Sequence, residues 1–265
     1  MVGISSDEGV TKLKYGYNLF SAWQVVKDRE SLIQYMKELK KMGYDGVEFF
    51  VYFDITGEEM KKITDEIGLI PFSTHPRLVQ FFDNLDGEIA YAKAAGIETL
   101  VMPHIPDEDC NAEYYKRLLD AIPEWKKKCD AAGIKLAWHN HGFEFKPYGD
   151  GILLDALLKA DPGVNYEIDV FWTTDSGMDT LGLMERYKDR IEYVHFKDYK
   201  GRSGDGYMDI NFCAVGEGLV DVKAVAAKAK ELGVRWAVVE QDLHSRDALE
   251  DARISIENLK ALFEG

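Results

Sequence analysis

Histidine and carboxylate side chains in this sequence follow apolar runs that are typical of β-strands. Five of the six histidines stand at the ends of such runs, and His244 lies just past the last run. These five are His75, His104, His139, His141 and His195. Two or three carboxylates with one imidazole form an oxygen-rich pocket that suits Mn²⁺, Mg²⁺, Co²⁺ or Zn²⁺. The clustering predicts one divalent metal ion, with Mn²⁺ as the first choice, rather than a structural thiolate zinc.

Four side chains at or just beyond the strand ends form the candidate ligand set. They are Glu144, Asp169, His195 and Glu240. Glu144 and Asp169 could instead be helix caps or partners in surface ion pairs. Asp169 and Glu240 follow strands that are too apolar to tolerate an unpaired charge, which favours the ligand interpretation for these two residues.

A repeated pattern explains why these side chains would meet. Five polar, helix-like stretches end at a glycine and lead into an apolar run, at Gly43, Gly68, Gly96, Gly133 and Gly233. Glycine accepts the left-handed conformation that ends a helix, and the apolar run suits a strand buried on both faces. Strands are predicted over 15–20, 45–50, 69–75, 97–104, 135–141, 165–172, 191–198 and 235–242. Helices are predicted over 29–42, 56–67, 78–95, 111–132, 151–160, 179–188, 220–232 and 246–263.

This alternation predicts a single (β/α)8 TIM barrel over residues 1–265, with residues 1–13 as a loose N-terminal arm. The active site of such a barrel lies at the carboxyl ends of its strands, because the loops that leave those ends surround the mouth. The candidate side chains stand at these ends. The sequence therefore predicts that they line one pocket.

Composition limits the possible functions. The chain has 32 Lys and Arg against 47 Asp and Glu, and its formal charge of −15 would repel the phosphates of a nucleic acid. No run reaches the roughly 18 to 20 apolar residues of a membrane helix, and the N-terminus lacks a signal-peptide pattern. We therefore expect no nucleic-acid or membrane partner and a cytoplasmic location. The three cysteines fit neither a disulfide framework nor a zinc ribbon and are interpreted as ordinary thiols.

Several segments, taken in order, resemble a known family. They are HNHGFEF (139–145), EIDVFW (167–172), VHFKD (194–198), VGEGLVD (215–221) and VVEQD (238–242). Together they resemble the sugar phosphate isomerase/epimerase group of xylose-isomerase-like barrels, which also contains ketose 3-epimerases, inosose dehydratases and an apurinic endonuclease. The resemblance covers nearly the whole chain. It implies a divalent metal held by Glu144, Asp169, His195 and Glu240.

The sequence departs from the family pattern at His139, where many relatives have a glutamate. On a regular strand His139 and His141 share a face, and Glu144 points the opposite way. Glu144 can join the metal only if the strand ends or bulges near Gly142. The sequence favours Glu144 as the ligand and keeps His139 as the alternative.

The resemblance also implies a reaction. A metal that binds two neighbouring oxygens of a sugar polarises a carbonyl and stabilises the enediolate formed when the adjacent carbon loses its proton. Glu144 and Glu240 would then be ligands and also the pair that exchanges the proton, and His141 could act as a base or bind a hydroxyl. The predicted function is a metal-dependent epimerase or isomerase of a sugar or keto-sugar.

A second group of residues is predicted to contact the substrate. It comprises His75, Lys197, Glu48, His104, Trp172 and His139. Lys197 could steady an oxyanion or form an ion pair in the barrel mouth, and the histidines at 75 and 104 could be loop anchors. No basic cluster or glycine-rich loop suits a phosphate near the last two strands. A neutral small-molecule carbohydrate is therefore the expected substrate, and the resemblance is compatible with a homo-oligomer.

Other functions stay open at this point. A lyase or dehydratase acting on an inosose or a 3-keto-glycoside would use the same proton abstraction and then expel a group from the β-carbon. The histidines at 139 and 141 favour this alternative, because an imidazole could protonate a departing oxygen. A barrel that only binds sugar is a further alternative. An endonuclease is disfavoured by the acidity and by the few spare histidines.

Overall fold

The computed structural model describes residues 12–265, so most of the predicted N-terminal arm (1–13) lies outside the described residues. Eight parallel strands close into a barrel. They are β1 (Lys14–Asn18), β2 (Gly46–Phe49), β3 (Ile70–Thr74), β4 (Thr99–Met102), β5 (Lys135–His139), β8 (Asn165–Asp169), β9 (Ile191–Phe196) and β12 (Trp236–Val239). They pair in the order β1-β2-β3-β4-β5-β8-β9-β12 and back to β1. The predicted fold class, a single (β/α)8 TIM barrel, is confirmed.

Helices connect the strands and surround the barrel. They are α1 (Arg29–Met42), α2 (Gly57–Ile67), α3 (Leu78–Ala95), α4 (Ala112–Ala132), α5 (Leu153–Ala160), α6 (Val170–Asp175), α7 (Thr180–Arg186), α8 (Val222–Leu232) and α9 (Ala248–Glu264). In the described part of the chain, no helix combines the length and the apolar character needed to cross a membrane. The five predicted glycine stops end α1, α2, α3, α4 and α8 with φ between 66° and 93°.

Two short hairpins were not predicted. One pairs β6 (Pro147–Tyr148) with β7 (Gly151–Ile152), and the other pairs β10 (Asp198–Arg202) with β11 (Ile210–Cys213). The second hairpin follows β9 directly and therefore starts at the barrel mouth. Asp198, at its base, accepts hydrogen bonds from the backbone N–H groups of Gly216, Gly218 and Val220. These contacts give the VGEGLVD segment a structural role in holding the loop before α8.

The predicted sixth strand ends earlier than its apolar residues suggest. Asp169 is the last residue of β8, and its Oδ1 accepts hydrogen bonds from the N–H groups of Phe171 and Trp172. This N-cap begins α6 at once. Both aromatic rings therefore lie on a short helix at the mouth.

Side chains that point into the barrel form layers because they alternate along each strand. The floor is a buried apolar cluster in which Phe72 stacks on Trp236 at a ring distance of 4.1 Å. Tyr193 and Val238 complete this floor. Two residues beyond each of them, towards the mouth, stand His195 and Glu240. The interior thus changes from apolar to charged along single strands, and the charged layers form the candidate site.

Candidate active site

Four buried side chains bring one ligand atom each to a common point. They are His139, Asp169, His195 and Glu240, which we call the upper cluster, and their atoms lie within 4.8 Å of one another. His139 Nε2 is 3.9 Å from both Asp169 Oδ2 and Glu240 Oε2. His195 Nδ1 is 2.8 Å from Glu240 Oε2. Three of the four predicted ligands therefore meet, together with the alternative fourth, His139.

Asp169 is held so that one oxygen remains free. Its Oδ1 caps α6, and Asn140 fixes its backbone, since Asn140 Oδ1 accepts from Asp169 N at 2.9 Å and from Tyr166 Oη at 2.7 Å. Asp169 Oδ2 is buried, and no described residue donates a hydrogen bond to it. A buried carboxylate oxygen without a partner is costly unless a cation supplies one.

A second group of side chains lies beneath the upper cluster. This lower cluster consists of Glu48, His75 and Glu167, each less than a tenth exposed. Glu167 Oε2 is 2.8 Å from His75 Nε2 and 3.1 Å from His139 Nδ1. Glu48 is fixed by Asn18 at 2.7 Å and by the hydroxyl of Ser73. The lower cluster therefore contacts the nitrogen of His139 that faces away from the mouth.

The upper cluster fits a divalent cation by its own chemistry. Two carboxylates and two imidazoles are the donor types used for Mn²⁺, Co²⁺ and Zn²⁺. Donor atoms 3.9 Å apart can share one ion at bonds of roughly 2.0–2.6 Å. The unpartnered oxygen of Asp169 points to the same place.

Glu144 has a different position from the one its predicted role requires. β5 ends at His139, and Glu144 lies in the 3-10 turn Phe143–Phe145 that follows the strand. Its carboxylate accepts from Trp138 Nε1 at 3.0 Å and from His141 N at 2.9 Å. Burial raises the pKa of Glu144 to about 8. Glu144 therefore holds the loop that carries His141, and the donor atom that lies with those of Asp169, His195 and Glu240 belongs to His139, the alternative ligand.

A pair of substitutions distinguishes the roles of His139 and Glu144 in ion binding. Replacing His139 by Gln is expected to weaken divalent-ion binding by more than the 10–100-fold typical of groups that only support a ligand. Replacing Glu144 by Gln is expected to leave the affinity close to that of the native protein, because its hydrogen bonds go to Trp138 and His141. Titration calorimetry with Mn²⁺ measures both, and tighter binding by the His139 variant than by the Glu144 variant would reverse the assignment.

Lys197 brings a buried positive charge to the mouth. Its Nζ lies 2.6 Å from Asp242 Oδ2, 3.7 Å from Glu240 Oε2 and 3.8 Å from Asp169 Oδ2. Trp172 and Phe212 flank the ammonium at 5.4 and 5.3 Å from their ring centres. Burial opposes the charge, but the three carboxylates raise the pKa of Lys197 above its usual range. Lys197 therefore remains a cation and is oriented beside the upper cluster.

An aromatic wall lines the other side of the mouth. The ring of His141 lies 4.8 Å from that of His104 and 5.3 Å from that of Trp172. His141 Nδ1 and Trp172 Nε1 are buried atoms for which residues 12–265 supply no hydrogen-bond partner. An unpartnered buried polar atom is costly, so this wall holds two polar groups that a further partner would satisfy.

Charges in the site differ sharply between neighbours. Burial and the nearby histidines lower the pKa of His141 well below its usual value, so its imidazole is neutral. Burial would raise the pKa of Glu240, yet Lys197 and His195 hold it well below its usual range. Burial raises the pKa of Asp169 to about 8, against the opposing effect of Lys197. The mouth thus combines a carboxylate, a cation and a neutral imidazole.

His75 provides a pH-dependent contribution to stability. Burial opposes its charge, but Glu48 and Glu167 raise the pKa of His75 to about 10, from an unfolded value near 6.5. A raised pKa stabilises the fold fully below about pH 6.5, and this stabilisation is lost as the pH rises through 10. We expect the metal-free protein to lose more unfolding free energy between pH 7 and 10 than its His75→Gln variant. Urea unfolding at several pH values measures this, and parallel profiles would refute it.

Most of the predicted site residues lie near one another in the structure, but one buried carboxylate of the candidate site was not predicted. The predicted contacts Glu48, His75, Lys197 and Trp172 all lie around the upper cluster, and His104 joins through His141. Glu167 was not singled out, although it stands two residues before Asp169. That spacing places both side chains on one face of a strand and could have revealed it.

Comparison with known proteins adds a family match. The family model described as a xylose isomerase-like TIM barrel matches residues 36–262. An inosose dehydratase of Lacticaseibacillus casei is 25% identical over 158 residues, which cover 53% of this chain and 49% of that protein. The chain thus spans about half the length of the inosose dehydratases it matches.

Solved structures share the fold over most of the chain. A sugar phosphate isomerase/epimerase from Parabacteroides distasonis is 26% identical, with a TM-score of 0.70 and coverage of 98% of this chain and 96% of that one. The IOLI protein, solved with a bound zinc atom, is 16% identical, with a TM-score of 0.70 and coverage of 95% and 98%. At that identity the second likeness concerns the fold alone.

Proposed function

Because the chain belongs to the xylose isomerase-like TIM barrel family, we propose that it is a metal-dependent lyase or dehydratase acting on a neutral keto-carbohydrate such as an inosose or a 3-keto-glycoside. A proton leaves the carbon next to the carbonyl, and water or an alcohol leaves from the β-carbon. The products are an unsaturated ketone and the released water or alcohol, so the reaction needs no oxidant or reductant.

The upper cluster is the proposed ion site. Its four buried donor atoms, which lie within 4.8 Å of one another, suggest a divalent metal. Mn²⁺ is the first ion to test, followed by Mg²⁺, Co²⁺ and Zn²⁺. Such an ion, when bound, polarises the carbonyl and disperses the negative charge that develops on its oxygen.

The chain's own residues supply the proton transfers. His141 is neutral and has a free Nδ1, so it can accept the proton from the carbon. The resulting imidazolium is a strong acid in this buried place and can donate the proton to the departing oxygen. Lys197 stabilises the developing oxyanion, and the free oxygen of Asp242 and Trp172 Nε1 can bind hydroxyl groups.

One observation carries the choice of elimination. The mouth presents Glu240 and the imidazole of His141, whereas Glu144 is turned away into hydrogen bonds with Trp138 and His141 N. Exchange of a proton between two opposed glutamates, as first expected, would need both at the mouth. An imidazole that can be both base and acid suits the loss of a leaving group better.

The charges favour a substrate without phosphate. Lys197, the cation at the mouth, is already paired with Asp242 at 2.6 Å, and Glu240, whose pKa is held low by Lys197 and His195, lies 3.7 Å from the same ammonium. A phosphate placed beside these carboxylates would be repelled by their negative charge, and Lys197, the cation that could bind it, is already paired. Hydroxyl groups, which donate to carboxylates, are suited to this lining.

An epimerase or isomerase of a sugar or keto-sugar is the second candidate. The likeness to the Parabacteroides distasonis isomerase/epimerase over nearly the whole chain supports it. The same proton abstraction would occur, and the proton would return to carbon instead of to a leaving oxygen.

Incubation in deuterated water tests both candidates. The metal-loaded protein is mixed with ketoses, inososes or 3-keto-glycosides, and the products are read by mass spectrometry and NMR. We expect an unsaturated ketone with loss of water or aglycone. Deuterium at carbon without such loss would establish epimerisation or isomerisation instead. If no compound of the panel undergoes either elimination or exchange, that result contradicts the proposed enzymatic function.

A further inference from the structure

Glu167 is a fully buried carboxylate on which three histidine rings converge. Its Oε2 lies 2.8 Å from His75 Nε2, 3.1 Å from His139 Nδ1 and 3.3 Å from His195 Nε2. Its exposed fraction is 0%, and it lies two residues before Asp169 on β8. Two of the three rings belong to the upper cluster.

Each of these two rings faces both clusters. His139 directs Nδ1 to Glu167 and Nε2 towards Asp169 and Glu240. His195 Nδ1 is hydrogen-bonded to Glu240 at 2.8 Å, and its Nε2 lies 3.0 Å from Glu48 without forming a hydrogen bond to any described residue. A neutral imidazole has one N–H, so a ring that donates from one nitrogen to the lower cluster presents the lone pair of its other nitrogen to the upper cluster.

We propose that Glu167 is a positioning residue: it fixes the N–H of His139 on Nδ1, so that the lone pair on Nε2 points to the ion of the upper cluster. This inference rests on the proposed function, because it assigns Glu167 a role only through the ion of the upper cluster. Carboxylates that hold ligand imidazoles in this way orient the ring and select its tautomer.

The same contacts argue against a second ion in the lower cluster. The atoms of His75, His139, Glu167 and His195 also lie within 4.8 Å of one another and could in principle bind a metal. An ion there would take His139 Nδ1, and the remaining proton of that ring would then face the upper cluster. The two sites therefore exclude each other, and we expect one ion per chain.

Two substitutions separate position from charge. Glu167→Gln removes the charge and keeps the length, whereas Glu167→Asp keeps the charge and withdraws it from the three rings. We expect both variants to bind Mn²⁺ about 10–100-fold more weakly than the native protein, as titration calorimetry would show. Glu88→Gln is the matched control. Glu88 is a buried carboxyl on α3 that bonds to Gln80, outside both clusters, and its variant should bind Mn²⁺ as the native protein does.

A second readout needs neither metal nor activity. Ring ¹⁵N NMR of the metal-free native protein should show His139 with its proton on Nδ1, and in Glu167→Asp part of the population should shift to the Nε2–H tautomer. Near-UV circular dichroism identifies variants that have not folded. If the Glu167 variants do not fold, the tautomer of His139 in the native protein still tests the proposal.

The possible outcomes are distinct. Native affinity and an unchanged tautomer in both Glu167 variants would overturn the positioning role while leaving the metal site intact. Two ions per native chain would also overturn it. A native protein that binds no divalent ion would refute the proposed function, and His139 with its proton on Nε2 would refute the positioning role independently.

Discussion

Replacing Asp169 by Asn is expected to abolish ion binding at the upper cluster and to lower turnover by on the order of 10³-fold or more. Loss of a metal's charge stabilisation costs several kcal/mol, and each 1.36 kcal/mol corresponds to a tenfold change in rate. The amide oxygen of Asn can still accept from Phe171 N and Trp172 N, so α6 should keep its cap. The free oxygen is replaced by an NH₂ group, which cannot bind a cation.

Two measurements check this expectation. Elemental analysis after gel filtration gives the ion content, and the elimination assay gives kcat and kcat/KM. Asp155→Asn is a suitable control, because Asp155 is a nearly buried carboxyl on α5 that pairs with Arg186 outside the site. A full complement of ion in the Asp169→Asn variant would show that Asp169 is not a ligand.

Replacing His141 by Gln is expected to lower kcat by about 10²–10⁴-fold, the usual contribution of a positioned acid or base. Ion binding should persist, since the upper cluster does not include His141. The backbone N–H of residue 141 can still donate to Glu144, so the loop should keep its place. This variant therefore separates proton transfer from metal binding.

Single-turnover kinetics with the ion-loaded variant provide the measurement. Solvent exchange of the carbon-bound proton should fall together with product formation, because His141 is proposed to take that proton. If exchange stays at the native rate while product formation falls, His141 acts only on the leaving oxygen. Turnover within tenfold of native would remove it from the mechanism.

The barrel was predictable because its signals are local. A glycine that ends a helix and an apolar run that begins the next strand are properties of neighbouring residues, and both occur at Gly43, Gly68, Gly96, Gly133 and Gly233. The rule that the site lies at the carboxyl ends of the strands then placed Asp169, His195 and Glu240 at one mouth.

The direction of individual side chains was harder to predict. Whether Glu144 or His139 faces the mouth depends on where β5 ends, and the strand stops at His139, before the 3-10 turn that carries Glu144 away. The apolar run at 170–172 resembled a continued strand, but the cap formed by Asp169 converts it to a helix. The spacing of Glu167 from Asp169 placed both side chains on one face of the strand, but the role of Glu167 depends on contacts with residues 28 and 92 positions away in the chain, which the sequence does not show.

The proposed ion site is best tested by a crystal structure of the protein with Mn²⁺, using anomalous scattering to locate the ion. We expect one strong peak within roughly 2.0–2.6 Å of His139 Nε2, Asp169 Oδ2, His195 Nδ1 and a Glu240 oxygen. A peak bound by Glu144, a peak in the lower cluster, or the absence of any peak among these residues would contradict the site.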